Sequence, residues 1–485
     1  MDKLKKESED LFSLFYPQHI AFIGASESSR LGSMMYLPAF KESIWANTFY
    51  PINPKHDRIL GWKCYHSVLE VPYPIDTAYI SLKTDFVPKA LKECVQKEIK
   101  WVIIFASGFS ETGDSKGKYL EDELLRIIKG SKTRIIGPNC IGPLNAEMGM
   151  AITFASQKGV LGGVSFMSQS GGHLTQLVDV GYKRDIRYHY GISFGNQIDL
   201  NCVDFMNFFR QDSKTSLIAA YLESTGSAKA YDLFKELKNT TKIKPVILWK
   251  GGYTKEGSRA AFSHTGAMVS NNRLWKSMAN QTGTILVKDN EEFWNTIKTF
   301  ELLYPNYIPR GRNVGIITPG GGASVNITDL FANQNLLIPE LTLESQSKIG
   351  RILPDVNVNI KNPIDLGASG FILDIFTQCI KVVANDPKID IIIVPLWPDH
   401  IFRHVFKRMI AIRDTILKPF AFCLPNIADD GLLAKRFNSA KKLLHKKRIL
   451  YFISLRNAAK SISFLCNYVE FLKAQNIPIN KPNFG

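Results

Sequence analysis

Short, β-rich apolar runs that alternate with helix-forming stretches are the feature that most limits what this chain can fold into. HIAFIGAS (19–26), FYPINP (49–54), DTAYISL (76–82), WVIIFAS (101–107) and RIIGPN (134–139) each read as a strand. Helical patterns such as FVPKALKECVQKE and KYLEDELLRIIKG separate them. That alternation is the signature of parallel α/β layering, with helices covering a buried sheet. At 485 residues the chain is too long for one compact core, so several such layers in series are expected.

The pattern divides into three doubly wound α/β domains. The first spans 1–150. The second, 151–307, opens with GVSFMSQSGG (163–172) and continues through HYGISFGN, LIAAYLES and KPVILWKGG. It closes with the helical run EEFWNTIKTFELL, after which YPNYIPRGRN has the prolines and polar end of a linker. The third, 308–485, begins its strands with VGIITPGGG (314–322) and carries DIIIVPLW and KPFAFCLP.

Bulk composition excludes several classes. No apolar run approaches the roughly 20 residues that span a bilayer, and MDKLKKESEDLFSLFYP lacks the apolar centre of a signal peptide. The seven cysteines are scattered without a CxxC pair, which argues against a disulfide framework or a zinc site and for a cytoplasmic protein. His400 and His404 stand four apart without a third ligand, so no metal site is expected. The net charge of +16 comes without a helix-turn-helix pattern or a dense basic block, so no nucleic acid is expected. A polyanionic small molecule or an acidic partner subunit suits diffuse positive charge.

In open α/β sheets, ligands bind beyond the carboxyl ends of strands, where backbone N–H groups open helices. This chain places glycines and hydroxyls there repeatedly. GASESSRLG (24–32) follows the first strand, with Gly24 and Ser26 in the turn and Arg30 close by. Lys55, in YPINPKHD, lies at the adjacent strand end. Two cations beside a glycine turn suit a ligand with a pyrophosphate and a further phosphate. GPNCIGPLN (137–145) brings Asn139, and MSQSGGH (167–173) brings Ser168, Gln169, Ser170 and Gly171 as an anion nest opening a helix. GISFGNQID adds Asn196 and Asp199 at another strand end.

His264 is dressed differently from the other histidines, within AAFSHTGAMVS (260–270). A histidine that accepts a phosphoryl group needs a neutral nitrogen facing the donor and a partner on the other nitrogen. It also needs N–H groups around the phosphoryl oxygens, which Thr265 and Gly266 can supply at a helix start. Glu223, ending the strand LIAAYLES, is the natural acidic partner for the ring.

GAS (24–26), YPINPK (50–55), IIGPNCIG (135–142), SQSGG (168–172), SFGN (193–196) and SHTGA (263–267) follow one another along nearly the whole chain. In this order they resemble the NDP-forming acyl-CoA synthetases, above all the alpha subunit of the ADP-forming acetyl-CoA type, and more distantly succinyl-CoA synthetase. The resemblance implies a CoA-binding Rossmann-like domain followed by two flavodoxin-like ligase domains. It implies that acyl-CoA and phosphate give an acyl phosphate and CoA, and that the phosphoryl group moves to His264 and on to ADP. CoA would meet Gly24, Ser26, Arg30, Lys55 and Asn139, while Ser168–Gly171 and Asn196 would line the acyl and phosphate site. Glu223 would stabilise the His264 ring.

His173 and Gln197 depart from the family pattern near the expected acyl site, so acetate is not assumed as the acid. No ATP-grasp pattern follows residue 475. A separate ATP-grasp beta subunit in a hetero-oligomer, binding ADP or ATP with Mg2+, is therefore the expected partner. A non-catalytic acyl-CoA or nucleotide sensor on the same fold is the alternative, and the His264–Glu223 pair weighs against it. An NAD-dependent dehydrogenase ranks last, because the glycine fingerprint is incomplete and the ribose-binding acid is missing.

Overall fold

The computed structural model describes residues 11–27, 32–149, 161–254, 256, 257, 259, 272–319, 321–353, 358–396, 407, 410–424 and 431–479. Two compact units divide between Lys288 and Asp289.

The first unit holds two large sheets, one parallel throughout and one parallel except at an edge strand. In the first sheet lie β1 (Ile20–Ile23), β2 (Phe49–Ile52), β5 (Thr77–Ile80), β6 (Trp101–Ile104) and β7 (Arg134–Ile136), while β3 (Arg58–Ile59) and β4 (Trp62–Lys63) form a small separate hairpin. All five expected strands are present. Their order is β2-β1-β5-β6-β7 with every pairing parallel. Helices α1 (Gly32–Lys41), α2 (Val87–Gln96) and α3 (Ser115–Ile128) cover the sheet. Periodicity explains α2: Val87, Ala90, Leu91 and Cys94 recur at helical spacing and all are buried, with Pro88 in the first turn. Asp114 caps α3 by accepting the Gly117 N–H at 2.6 Å.

The second sheet adds β8 (Gly142–Asn145), β9 (Val164–Ser168), β10 (Tyr188–Ser193), β11 (Leu217–Leu222), β12 (Val246–Lys250) and β13 (Ile285–Val287). Helices α4 (Gly171–Lys183), α5 (Cys202–Gln211), α6 (Ala230–Thr240) and α7 (Asn272–Thr282) connect them. The order is β13-β12-β11-β9-β10-β8, parallel except for β8, which runs antiparallel on the β10 edge. So the last strand of the stretch assigned to the first domain pairs into the second sheet, a junction that sequence alone does not reveal.

The second unit carries α8 (Asn290–Leu303), β14 (Val314–Thr318), α9 (Gly321–Ala332), α10 (Leu343–Ile352), β15 (Ile364–Asp365), α11 (Leu373–Asn385), β16 (Ile391–Pro395), β17 (Phe420–Cys423), α12 (Gly431–Lys446), β18 (Tyr451–Phe452) and α13 (Leu455–Ala474). Its parallel sheet is ordered β15-β14-β16-β17-β18. The helix α8, read from sequence as closing the second domain at 307, packs instead along α13. Phe300 meets Tyr468 at 5.7 Å between ring centroids, and Lys460 pairs with Glu292. Ten of its fourteen positions, apolar and polar alike, are buried, so its pattern does not reveal which core it covers.

All three parallel cores share one winding. The chain starts in the second strand from one edge, steps to that edge, then crosses back and proceeds outward. This 2-1-3-4-5 order creates one topological switch point per sheet, beside the first strand, and ligands bind at such points. In the first unit these are the ends of β1 and β5, and the ends of β9 and β11.

Candidate functional site

At the β1 end, the turn at Gly24 has φ +94°, and a Cβ there would stand 2.2 Å from the Ser81 carbonyl oxygen. Only glycine fits where the chain passes so close to the neighbouring strand end. Ser26 donates its N–H to Ser33 Oγ at 2.9 Å, which ties the turn to the start of α1. Asn53 donates to the Ala25 carbonyl at 2.7 Å and accepts the Lys55 N–H at 2.9 Å, joining the two loops. Lys55 is exposed. Gly24, Ser26 and Lys55 thus gather at the first switch point, while Arg30 lies outside the described residues.

Asn139 follows β7 in a left-handed conformation, φ +58°, after the Gly137–Pro138 peptide. The loop carrying Asn196 lies directly against it, since a Cβ on Gly195 would stand 2.1 Å from the Pro138 carbonyl oxygen. The Asn196 amide donates to Glu111 Oε2 at 2.6 Å and Glu121 Oε1 at 2.8 Å. Glu111 also accepts the Gly108 and Phe109 N–H groups, and Glu121 accepts from Ser110. These buried acids order the β6–α3 loop against the second sheet. Sequence reading missed them because neither Glu111, in the β6–α3 loop, nor Glu121, on α3, belongs to a motif.

The second switch point is the more elaborate. Ser168 ends β9 fully buried, accepting the Ser170 N–H at 3.1 Å and donating to the Ser170 carbonyl at 2.7 Å. The N-terminus of α4 follows at Gly171. Gln169 bridges the strand ends: its N–H donates to the Tyr221 carbonyl, and its Oε1 accepts the N–H groups of Glu223 and Ser224, both at 2.9 Å. Its Nε2 donates to Ser224 Oγ at 3.1 Å. The main chain at Glu223 is therefore fixed by the same loop that opens α4.

Glu223 itself is 8% exposed, and the Tyr221 hydroxyl donates to its Oε1 at 3.0 Å. Burial, then the Glu223 charge, push the Tyr221 hydroxyl well above its ordinary pKa, so it stays a donor. Lys250, at the β12 end, is 1% exposed and donates to the Gly251 carbonyl. Burial lowers it from 10.5 to about 8, against the opposing pull of Glu223. The His173 ring packs on Tyr221 at 4.1 Å and on Trp249 at 4.8 Å, and burial lowers its pKa.

Of the two departures from the family pattern, His173 stands at this switch point and Gln197 turns inward. Gln197 is buried at φ +58°, with its Oε1 accepting the Cys202 N–H that opens α5. His264, Thr265 and Gly266 lie outside the described residues, as do His400 and His404. The chain leaves β12 through Gly251 and Gly252 on its way to them. No group of three metal-ligating side chains occurs among the described residues, and no described helix is long and apolar enough to cross a membrane.

Two doubly wound α/β sheets, the first with a glycine turn at its switch point and the second with a buried carboxylate near a helix N-terminus, are the fold features that define the site, and comparison with known proteins gives the family. The CoA binding domain family matches residues 18–146, and the succinyl-CoA ligase like flavodoxin domain matches 161–300. The chain is 33% identical over 379 residues to the alpha subunit of ADP-forming acetate–CoA ligase II of Pyrococcus furiosus, covering 78% of this chain and 80% of that one. It is 30% identical over 431 residues to ADP-forming acetate–CoA ligase II of Archaeoglobus fulgidus, covering 87% of this chain and 62% of the relative. The structure of dinucleotide forming acetyl-coenzyme A synthetase 1 of Ca. Korarchaeum cryptofilum, solved with phosphate and ADP, superposes with a TM-score of 0.83 at 29% identity, over 97% of this chain and 100% of that one.

This chain belongs to the ADP-forming acyl-CoA ligase family. It spans 62%, 54% and 49% of the length of three archaeal acetate–CoA ligases that it matches.

Proposed function

We propose that the chain is the CoA-binding and phosphohistidine-bearing, alpha-type part of an NDP-forming acyl-CoA synthetase. The observation that carries this reading is Glu223, buried at the switch point where β9 and β11 diverge and fixed next to the N-terminus of α4. A helix N-terminus offers N–H groups to an anion, and the carboxylate offers an acceptor to an imidazolium.

In the ligase direction run backwards, a phosphate oxygen attacks the thioester carbonyl and the C–S bond breaks. CoA leaves as the thiol after taking a proton, and an acyl phosphate remains. An imidazole nitrogen of His264 then attacks phosphorus, the P–O bond to the acyl group breaks, and the carboxylate departs. Phospho-His264 finally passes the group to a terminal oxygen of ADP.

The residues take these parts. Glu223 accepts from the far ring nitrogen and offsets the charge that the ring gains on phosphorylation. Ser170, Gly171 and the start of α4 hold phosphate oxygens, while Ser168 and Gln169, whose polar groups are committed within the protein, shape the loop. Gly24, Ser26, Arg30, Lys55 and Asn139 receive CoA at the turn that Gly24 lets pass close to the end of β5. The nucleotide, with Mg2+, belongs to an ATP-grasp module, carried by a separate beta subunit as in families of alpha and beta chains. Asn196 has both its amide contacts on Glu111 and Glu121, so its role is to set the loop instead of meeting phosphate.

The test is His264→Ala. With the ATP-grasp partner present, the variant loses ATP formation from acyl-CoA, phosphate and ADP, while CoA affinity by calorimetry stays within about twofold, since the two switch points are separate. ATP formation at the parent rate would refute the assignment.

A further inference from the structure

We propose that Tyr221 is the positioning residue that holds the Glu223 carboxylate ready for the phosphorylated histidine. The inference rests on reading Glu223 and His264 as the phosphoryl-transfer pair, and it adds the group that makes Glu223 effective.

The geometry begins with the strand. β11 presents Leu217–Leu222 with every side chain buried, so a Phe at position 221 would satisfy packing alone. A tyrosine there buries a hydroxyl, which is costly unless it is bonded. It is bonded to Glu223 Oε1, two residues further along the same strand edge, where alternation returns the side chain to the same face.

The ring cannot turn away. His173 stands against it at 4.1 Å with the planes at 66°, and Trp249, its register partner on β12, at 5.0 Å and 75°. His173 and Trp249 also meet each other at 4.8 Å, so the three rings form one cluster that restrains Tyr221. On the open side, Gly251 admits the hydroxyl. A Cβ on Gly251 would stand 2.5 Å from the Tyr221 oxygen and 3.0 Å from Glu223 Cγ. The missing side chain at 251 is thus a requirement of the Tyr221–Glu223 pair, besides any freedom that it gives the loop.

Glu223 is consequently fixed at both ends. Gln169 holds its main chain and Tyr221 holds its carboxylate. A carboxylate with one oxygen committed to a rigid donor turns its remaining acceptor capacity in a set direction. Preorganised groups of that kind act without reorganising when charge develops. Burial and the carboxylate's own charge keep Tyr221 protonated across the working range of pH, so the bond persists.

The experiment follows the initial rate of label transfer from radioactive orthophosphate to the full chain with acetyl-, butyryl- and phenylacetyl-CoA. Parent, Tyr221→Phe, Glu223→Gln, the double variant and His264→Ala are compared. Tyr221→Phe keeps the ring and its packing, so its melting temperature moves by no more than about 4 °C. Its labelling rate at saturating phosphate falls about tenfold, with the half-saturating phosphate concentration within about twofold, the loss expected for one hydrogen bond to a charged group.

The double variant matches Glu223→Gln alone, because Tyr221 acts only through the carboxylate. A merely structural tyrosine would lower stability and multiply the two losses instead. Parent-like labelling by Tyr221→Phe, or multiplying losses, overturns the inference while leaving the phosphohistidine reading in place. Label in His264→Ala, or none in the parent with any of the three thioesters, overturns that reading and the inference with it.

Discussion

Two lysines near the second sheet, Lys250 buried and Lys244 half-buried, set a cost that varies with pH. Lys244 donates to the Phe209 and Asp212 carbonyls, and burial lowers it from 10.5 to about 8, partly offset by Asp212 and reinforced by Arg210. A lysine whose folded value lies below its unfolded one destabilises the fold in full below about pH 8. Between that value and 10.5 the unfolded state binds more protons, so this cost fades as pH rises. The buried cysteines act in the opposite sense: burial holds Cys202 and Cys379 protonated up to about 12, which favours unfolding as pH climbs past 9. Comparing Lys244→Met with the parent isolates the lysine. The urea midpoint of the variant relative to the parent should be highest at pH 7 and decline steadily toward pH 10. A difference that is flat or grows with pH would contradict the burial argument. Lys250 obeys the same sign, but its contact with the Glu223 site makes it a poorer probe.

At the level of elements, the runs that sequence patterning made visible are the mostly buried, largely apolar strands β1, β2, β5, β6, β7, β9, β10, β11, β12, β14, β16 and β17. What it missed are edge strands of two to four residues, namely β8, β13, β15 and β18. Such short pieces owe their conformation to a neighbour already in place, which no local pattern records. The site was legible in the same uneven way. Gly24 and the Ser168–Gly171 loop announce themselves through glycine and hydroxyls at strand ends, and Glu223 through its position after LIAAYL. Tyr221, Glu111 and Glu121 were silent, because their roles come from hydrogen bonds that no local motif records, while Gln169 was read only as part of the anion nest and not as the bridge to the Glu223 main chain. The turn at Gly24 is the element whose backbone geometry is least forgiving. Gly24→Ala would meet both an unfavourable φ and the Ser81 carbonyl oxygen. It should cost at least about 2 kcal/mol of stability and weaken CoA binding through displacement of the β1–α1 turn. Calorimetry and urea unfolding on one preparation decide it, and a variant with parent stability and parent affinity would remove the turn from the CoA site.

Across the whole molecule, one winding is used three times, and the 2-1-3-4-5 order is what turns scattered loop motifs into sites. The order itself could not be read from the sequence, since 2-1-3-4-5 and other parallel orders need the same alternation of strands and helices. The net charge of +16 accords with a polyanionic ligand such as CoA, which the proposed site would hold beside exposed cations like Lys55. The first switch point in the chain serves CoA on this account and the second serves phosphate and the histidine loop. Chemistry then depends on a phosphoryl group resting on this chain. The direct measurement is incubation of the purified protein with acyl-CoA thioesters and labelled orthophosphate, followed by peptide mapping. The account predicts an acid-labile, base-stable phosphoryl adduct on the peptide containing His264, absent from His264→Ala and reduced in Glu223→Gln. An adduct on another peptide, or labelling undiminished by loss of His264, would contradict it.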